Sequence, residues 1–213
     1  MHDQRKTNYA ETLDYVPTPQ WASRAFAYYA GMDTLLEGAS VLEPGVGGVH
    51  MAEVFAPLSK RYVGHDLKDY GRYQGELNLG DFLKNDYGDG SFDWCITNPP
   101  FTLGDAFFRE MMRIASVGVV LHIRTTWLNG VNRYNDVFSQ HLPEFAFIHA
   151  KNVSATQGMV IRRGSNQFNH VRLVWRKGVK PSFTKLHWLP ADSQDRFEDM
   201  KDYDAVHAPA KSA

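Results

Sequence analysis

The chain has 213 residues and a net charge of -1, from 23 lysines and arginines against 24 aspartates and glutamates. With 43% hydrophobic and 13% aromatic residues it excludes whole-chain disorder, and its length fits one domain of roughly 100–250 residues. The single cysteine, Cys95, excludes an internal disulfide and a zinc ribbon. No apolar run approaches the roughly 18 residues of a membrane span and the N-terminus lacks a signal-peptide core, so the chain reads as soluble and cytoplasmic, with no membrane partner.

In chain order, Thr18-Pro19 followed by Gln20 to Ala30 and Gly31 predicts a helix with Thr18 as its N-cap, Pro19 in its first turn and Gly31 as its stop. A short strand, Ala39 to Leu42, runs into the loop Glu43-Pro44-Gly45-Val46-Gly47-Gly48, and a helical stretch Met51 to Ala56 follows. A second strand, Arg61 to His65, ends at Asp66. The stretch Gly80 to Leu83 marks the end of a third, and Phe92 to Thr97 is a fourth that leads straight into Asn98-Pro99-Pro100-Phe101. Leu103 to Ala115 places Leu103, Phe107, Met111 and Ile114 on one helical face. Val117 to Ile123 is apolar throughout, as a strand covered on both faces requires. After Pro143 two longer strand candidates, Glu144 to Val153 and His170 to Lys177, flank a loop from Ser154 to Asn169 and read as an antiparallel edge. The alternation predicts an α/β fold with a doubly wound, mostly parallel sheet.

In such a sheet ligands bind beyond the carboxyl ends of the strands. Glu43, Asp66, Asp81 and Asn98 all fall at strand ends in this reading. A dinucleotide loop wants G-x-G-x-x-G, but His50 stands in the place of the third glycine, which weakens a reading as a nicotinamide cofactor site. An acid before the loop and another ending the next strand suit a cofactor with a ribose and no pyrophosphate, namely S-adenosylmethionine. Glu43 would answer its positive charge and Asp66 its ribose hydroxyls. The two prolines after Asn98 remove backbone donors and leave carbonyls to accept. The Asn98 side chain and the Pro99 carbonyl could then hold the two hydrogens of a nucleobase amine and free its lone pair, while Phe101 stacks on the extruded base.

Taken together, Glu43-Pro44-x-x-Gly47, Asp66, Asp81-Phe82 and Asn98-Pro99-Pro100-Phe101 resemble class I S-adenosylmethionine-dependent methyltransferases that modify amino groups, the adenine-specific DNA enzymes in particular. Asp66 to Gly71 and Val174 to Gly178 further resemble a compact phage and prophage subgroup. The resemblance spans Tyr15 to Pro190. It implies a seven-stranded Rossmann-like sheet whose last strand is antiparallel, with S-adenosylhomocysteine as product and no metal. By position, Glu43, Gly45 and Gly47 would face the methionine part of the cofactor, Asp66 with Leu67 its ribose side, and Asp81 with Phe82 its adenine. Tyr15, Thr18 and Trp21 would close over it, and Asn98 would border it. Asn98, Pro99, Pro100 and Phe101 would carry the catalysis. The family often has glycine where this chain has Val49.

The net charge hides a polarised chain. Residues 1–144 carry -6, residues 145–191 carry +8 with no acid, and residues 192–213 carry -3. The basic segment is expected on the substrate side, where Lys151, Arg162 and Arg163, joined by Arg124 and Trp127 after the fifth strand, would contact nucleic acid, DNA foremost. RNA adenine, the guanine 2-amino group and a catalytically silent binding partner are the alternatives. Residues 1–14 read as an extension, 15–190 as the methyltransferase domain and 191–213 as an acidic, flexible tail.

Overall fold

Strands rich in Val, Ile, Leu and aromatic residues on both faces need cover on both sides. The computed structural model, which describes residues 16–153, 160, 162 and 169–203, provides it on the two faces of one eight-stranded sheet. The strands are β1 (Ser40–Pro44), β2 (Arg61–Asp66), β3 (Glu76–Leu79), β4 (Phe92–Thr97), β5 (Ala115–Arg124), β6 (Phe145–His149), β7 (His170–Arg176) and β8 (Lys185–Leu189). Their spatial order is 3-2-1-4-5-7-6-8. β7 is antiparallel to both its neighbours, β5 and β6, and every other pairing is parallel.

One face is packed by α1 (Gln20–Ala30), α2 (Met32–Leu36) and α3 (Ala52–Phe55), which bury Phe26, Leu36 and Phe55 against Val41, Ile96, Val120 and Val174. The other is packed by α4 (Gly104–Ile114), which buries Phe107, Phe108, Met111 and Ile114 against Leu42, Cys95, Val119 and Leu121. The chain then runs through the short α5 (Val131–Arg133) and a wider helical turn over Tyr134–Phe138, which adds Val137 to that core. Gly118 interrupts the apolar run of β5 for a steric reason: a Cβ there would collide with the Trp94 ring and the Trp175 carbonyl.

Several expectations change. Pro19, not Thr18, is the N-cap of α1, because the Thr18 hydroxyl is engaged elsewhere. The sheet has an eighth strand: β8 pairs outside β6, so β7 is neither at the edge nor last in the chain. Its sequence, Lys-Leu-His-Trp-Leu, carries no strand signal because four of its five residues are exposed and alternation has no buried face to mark. The start of the acidic segment is also structured. Asp192 precedes α6 (Ser193–Phe197), Phe197 packs on Tyr28 and Tyr29 of α1, and the buried Asp202 forms an ion pair with Arg24.

Candidate active site

The order of the strands reverses between β1 and β4, and a cleft opens there at the carboxyl ends. Its empty volume, open solvent included, is about 900 Å³. Thr18, Glu43, Gly45, Gly47, Asp66, Leu67, Asp81, Phe82, Asn98, Pro99, Pro100 and Phe101 all line it. The fold thus brings residues from four strand ends and the segment before α1 to one place.

The turn after β1 needs left-handed backbone, supplied by Gly45 at φ 73° and Gly47 at φ 54°. Val49 adopts φ 67° as well, a conformation a β-branched residue rarely enters, and its side chain is buried in the core under α3. The Gly47 amide donates to Asp66 Oδ2 at 2.9 Å, and the Lys68 amide donates to Oδ1 at 3.1 Å, which fixes the carboxylate at the end of β2. Asp81 accepts from the Leu83 amide at 3.0 Å and caps the turn that buries Phe82.

Glu43 is 2% exposed. Its Oε2 accepts from the Tyr62 hydroxyl at 2.5 Å, and among the described residues no cation pairs with it. Burial pushes its carboxyl up to about 8, the Tyr62 hydrogen bond opposes that rise, and the charge of Asp66 adds to it. His65 links the turn after β3 to the sheet. Since a carbonyl only accepts, His65 Nε2 donates to the Gly80 carbonyl at 3.1 Å, leaving Nδ1 to accept from the Tyr87 hydroxyl at 3.0 Å. Burial lowers its pKa, which keeps the ring in this neutral form.

At the end of β4, the Thr97 hydroxyl donates to the Pro44 carbonyl and joins β4 to β1. Asn98 Nδ2 donates to the Val16 carbonyl at 2.9 Å and to Thr18 Oγ1 at 3.1 Å. With both amide hydrogens engaged, Oδ1 is the acceptor that Asn98 offers to the cleft. The Pro100 carbonyl accepts from the Leu103 amide at 2.9 Å, which closes the turn into α4. Among the described residues no hydrogen bond takes up the Pro99 carbonyl.

Other expected residues lie elsewhere. Trp21 is buried beside Ala22 and Val153 and meets His149 edge-on at 5.2 Å, outside the cleft lining. Trp127 is 5% exposed and donates through Nε1 to Asp105 at 2.7 Å, with Arg133 over its ring, so it is a core residue rather than a wedge. Arg162 is held by both carboxylate oxygens of Glu198, at 2.6 and 3.1 Å. Arg124 lies over the Phe101 ring, 3.4 Å from its centroid. Lys151 is exposed just past β6, while Tyr15 and Arg163 fall outside the described residues.

The described residues of the basic segment do not form one surface. Arg172 is buried, donating to the Ala22 carbonyl and the Ser23 hydroxyl, and Arg176 pairs with Glu144. Because β7 runs antiparallel, Arg176 sits opposite Gly118 near the start of β5, and Lys185 opposite Phe145 begins β8. Arg176 and Lys185 therefore lie at the amino ends of the parallel strands, away from the cleft.

Sequence reading did not single out Val16, Tyr70, His50 or His65 as cleft residues, though all four line it. The position of His65 directly before a strand-end acid was the available signal; Tyr70, in an irregular loop, had none.

No family model matches the sequence, and no curated protein matches it either. Solved structures do. A type I restriction-modification system methyltransferase subunit from Streptococcus thermophilus is 11% identical with a TM-score of 0.60, over 82% of this chain and 46% of that one. A modification subunit assigned to a type I restriction enzyme from Vibrio vulnificus is 15% identical at 0.59, over 85% and 51%. The magnesium protoporphyrin IX methyltransferase of Synechocystis, solved with bound S-adenosylmethionine, is 12% identical at 0.50, over 83% and 87%. The chain shares the fold of these methyltransferases. The chain spans about half the length of the two type I subunits.

The cleft fits that cofactor on its own terms. Its lining holds a buried acid that pairs with no cation among the described residues, its turn is glycine-built, and Leu67 and Phe82 add apolar surface beside Asp66. Among the described residues no cluster of His, Cys, Asp and Glu could hold a metal ion, and no helix is long and apolar enough to cross a membrane.

Proposed function

We propose that the chain transfers a methyl group from S-adenosylmethionine to the exocyclic amino group of adenine in DNA. The observation that carries this reading is the pairing of Asn98: both of its amide hydrogens are engaged by Val16 and Thr18, which leaves Oδ1 to accept, and Asn98 and Pro99 both line the cleft.

Glu43, Gly45, Gly47, Asp66, Leu67, Asp81 and Phe82 would hold the cofactor, with Thr18 bordering it. The cofactor supplies an electrophilic methyl group. The chain's own task is to hold the acceptor amine. Asn98 Oδ1 and the Pro99 carbonyl accept its two hydrogens and draw the nitrogen toward tetrahedral geometry, which frees its lone pair from the ring. Phe101 stacks on the base. No strong base is needed, because the nitrogen becomes acidic as its new bond forms, and the rate comes from alignment and fixed dipoles.

DNA is preferred as the acceptor because the two most similar neighbours described above are named as restriction-modification subunits and because Lys151 is exposed beside the carboxyl ends. Incubation with labelled cofactor and, in separate reactions, duplex DNA, single-stranded DNA, RNA and a protein extract tests the reading. Label is expected in DNA; label confined to RNA or protein would replace it.

A further inference from the structure

β8 is the outermost strand of the sheet, and among the described residues no strand pairs with its far side. The Lys185 amide donates to the Glu144 carbonyl and the Leu189 carbonyl accepts from the Ala150 amide, so Lys185, His187 and Leu189 turn their backbone groups toward β6. Backbone direction alternates along a strand, and Leu186 and Trp188 therefore turn their amides and carbonyls outward. Such a row is a template for another strand. The usual guards are missing from its centre: Leu186-His187-Trp188 holds no proline and no lysine, and the pairing with β6 runs from Lys185 to Leu189 without a bulge.

The side chains alternate as well. His187 stacks on Phe147 at 5.2 Å, and Phe147 meets Phe26 of α1, so His187 lies on the face that α1 covers. Leu186 and Trp188 project from the opposite face, beside Ala146 and Ile148 of β6, and are 47% and 61% exposed. A second copy of β8 fits this edge in the antiparallel sense. With a two-fold axis at His187, Leu186 of one copy stands opposite Trp188 of the other, in the kind of pair that exchanges both of its N–H···O bonds. The same register gathers both leucines and both tryptophans into one cluster. A shift toward the C-terminus would set Leu186 against Pro190, which has no N–H to give. Charge agrees with this sense: exposed Lys177, Lys180 and Lys185 lie at or before the start of β8, whereas exposed Asp192 and Asp195 follow its end. Antiparallel pairing sets the basic end of one copy beside the acidic end of the other; parallel pairing would set like beside like.

We propose that the chain forms a two-fold dimer through β8, in which Leu186 and Trp188 of the two copies interlock and the two sheets join into one. An isologous pairing of this kind closes on itself and removes the exposed edge. β8 runs parallel to β6 and, through the antiparallel β7, parallel to β1, β4 and β5. The strands of the second copy therefore run the other way, and its cleft opens at the opposite end of the joined sheet. Neither copy contributes to the other's cleft.

Sedimentation velocity of the full chain over about 1–100 µM tests the proposal. It should show a shift to twice the chain mass, with a dissociation constant on the order of 1–10 µM, as befits a small interface. Leu186→Pro removes an outward amide and no bond to β6, and Trp188→Lys puts a charge into the cluster. Each should raise the dissociation constant at least about a hundredfold. Thermal unfolding at low concentration reports whether each variant is folded, and the lysine variant decides the matter if the proline variant is not. His187→Cys places a thiol on the axis, where the Cα atoms of the pair stand about 4.5 Å apart, within disulfide reach. It should give a covalent dimer on mild oxidation, since the native Cys95 is buried. A monomer at every concentration, a dimer indifferent to both substitutions, or a dimer whose cysteines do not cross-link would overturn the proposal.

Discussion

Asn98 donates through Nδ2 to Thr18 Oγ1 at 3.1 Å, across 80 positions of sequence, and thereby ties the end of β4 to the segment that enters α1. The bond decides which end of the Asn98 amide faces the cleft. Asn98→Ala is expected to lower turnover at least about a hundredfold with cofactor affinity retained, because the lost acceptor acts on the reacting amine. Thr18→Val removes only one restraint on the amide and should cost about tenfold. Steady-state rates beside calorimetric binding separate the cases. If Asn98→Ala abolishes cofactor binding too, its role is to build the cleft.

The buried acid predicts a pH dependence. The Glu43 carboxyl rises from 4.5 to about 8 in the folded chain, so between those values the folded state holds a proton that the unfolded state releases. This contribution to stability is complete below about 4.5 and is lost as pH rises toward 8, with a slope of at most about 1.4 kcal/mol per pH unit. Tyr62, Tyr73 and Asp66 are the titratable groups that act on it or on its neighbour. Denaturant melts from pH 5 to 8 should lose this slope in Glu43→Gln. A cationic ligand needs the ionised form, so binding near pH 7 should release about one proton, measurable by calorimetry in buffers of different ionisation heat. A proton count of zero would contradict the assignment of Glu43 to the cationic end of the ligand.

Val49 carries a left-handed backbone under a buried side chain. Glycine there relieves about 1–2 kcal/mol of strain, while losing the burial of the isopropyl group at about 1.5–3 kcal/mol. Alanine loses most of the burial and keeps the strain. Val49→Gly should therefore be more stable than Val49→Ala, the reverse of the usual order, and denaturant midpoints would show it. Equal midpoints, or alanine ahead, would mean that the turn does not keep φ 67° in solution.

Glu198 holds Arg162 with two hydrogen bonds. Its Arg162 and Tyr203 partners pull the carboxyl down to about 2, so it stays charged over the working range. Glu198→Gln should free the guanidinium, tighten nucleic-acid binding uniformly across sequences and steepen its salt dependence by about one unit. No change in affinity would show that the side of the molecule bearing Arg162 does not meet nucleic acid.

The cleft was legible because its chemistry sits at strand ends. Glu43, Asp66, Asp81 and Asn98 could be aligned from the apolar runs that precede them, and the structure brings them together. The basic segment was not legible in the same way. A run of like charges says nothing of strand direction, and the reversal of β7 carries Arg176 and Lys185 to the far end while burying Arg172 under α1. Proximity to motifs places Trp21 and Trp127 at the cleft, but a tryptophan whose ring fits the core is more stable buried there, and both are buried. The acidic composition predicts a flexible segment, yet Phe197 and the buried Asp202 anchor its described part, residues 192–203, to α1, through contacts that average polarity does not reveal.

Hydrolysing DNA that has been incubated with the protein and labelled cofactor, and identifying the nucleoside that carries the label, tests methyl transfer to adenine without intermediary. N6-methyldeoxyadenosine is the expected product. Label on guanosine, or no label in nucleic acid while the cofactor is bound, would contradict it.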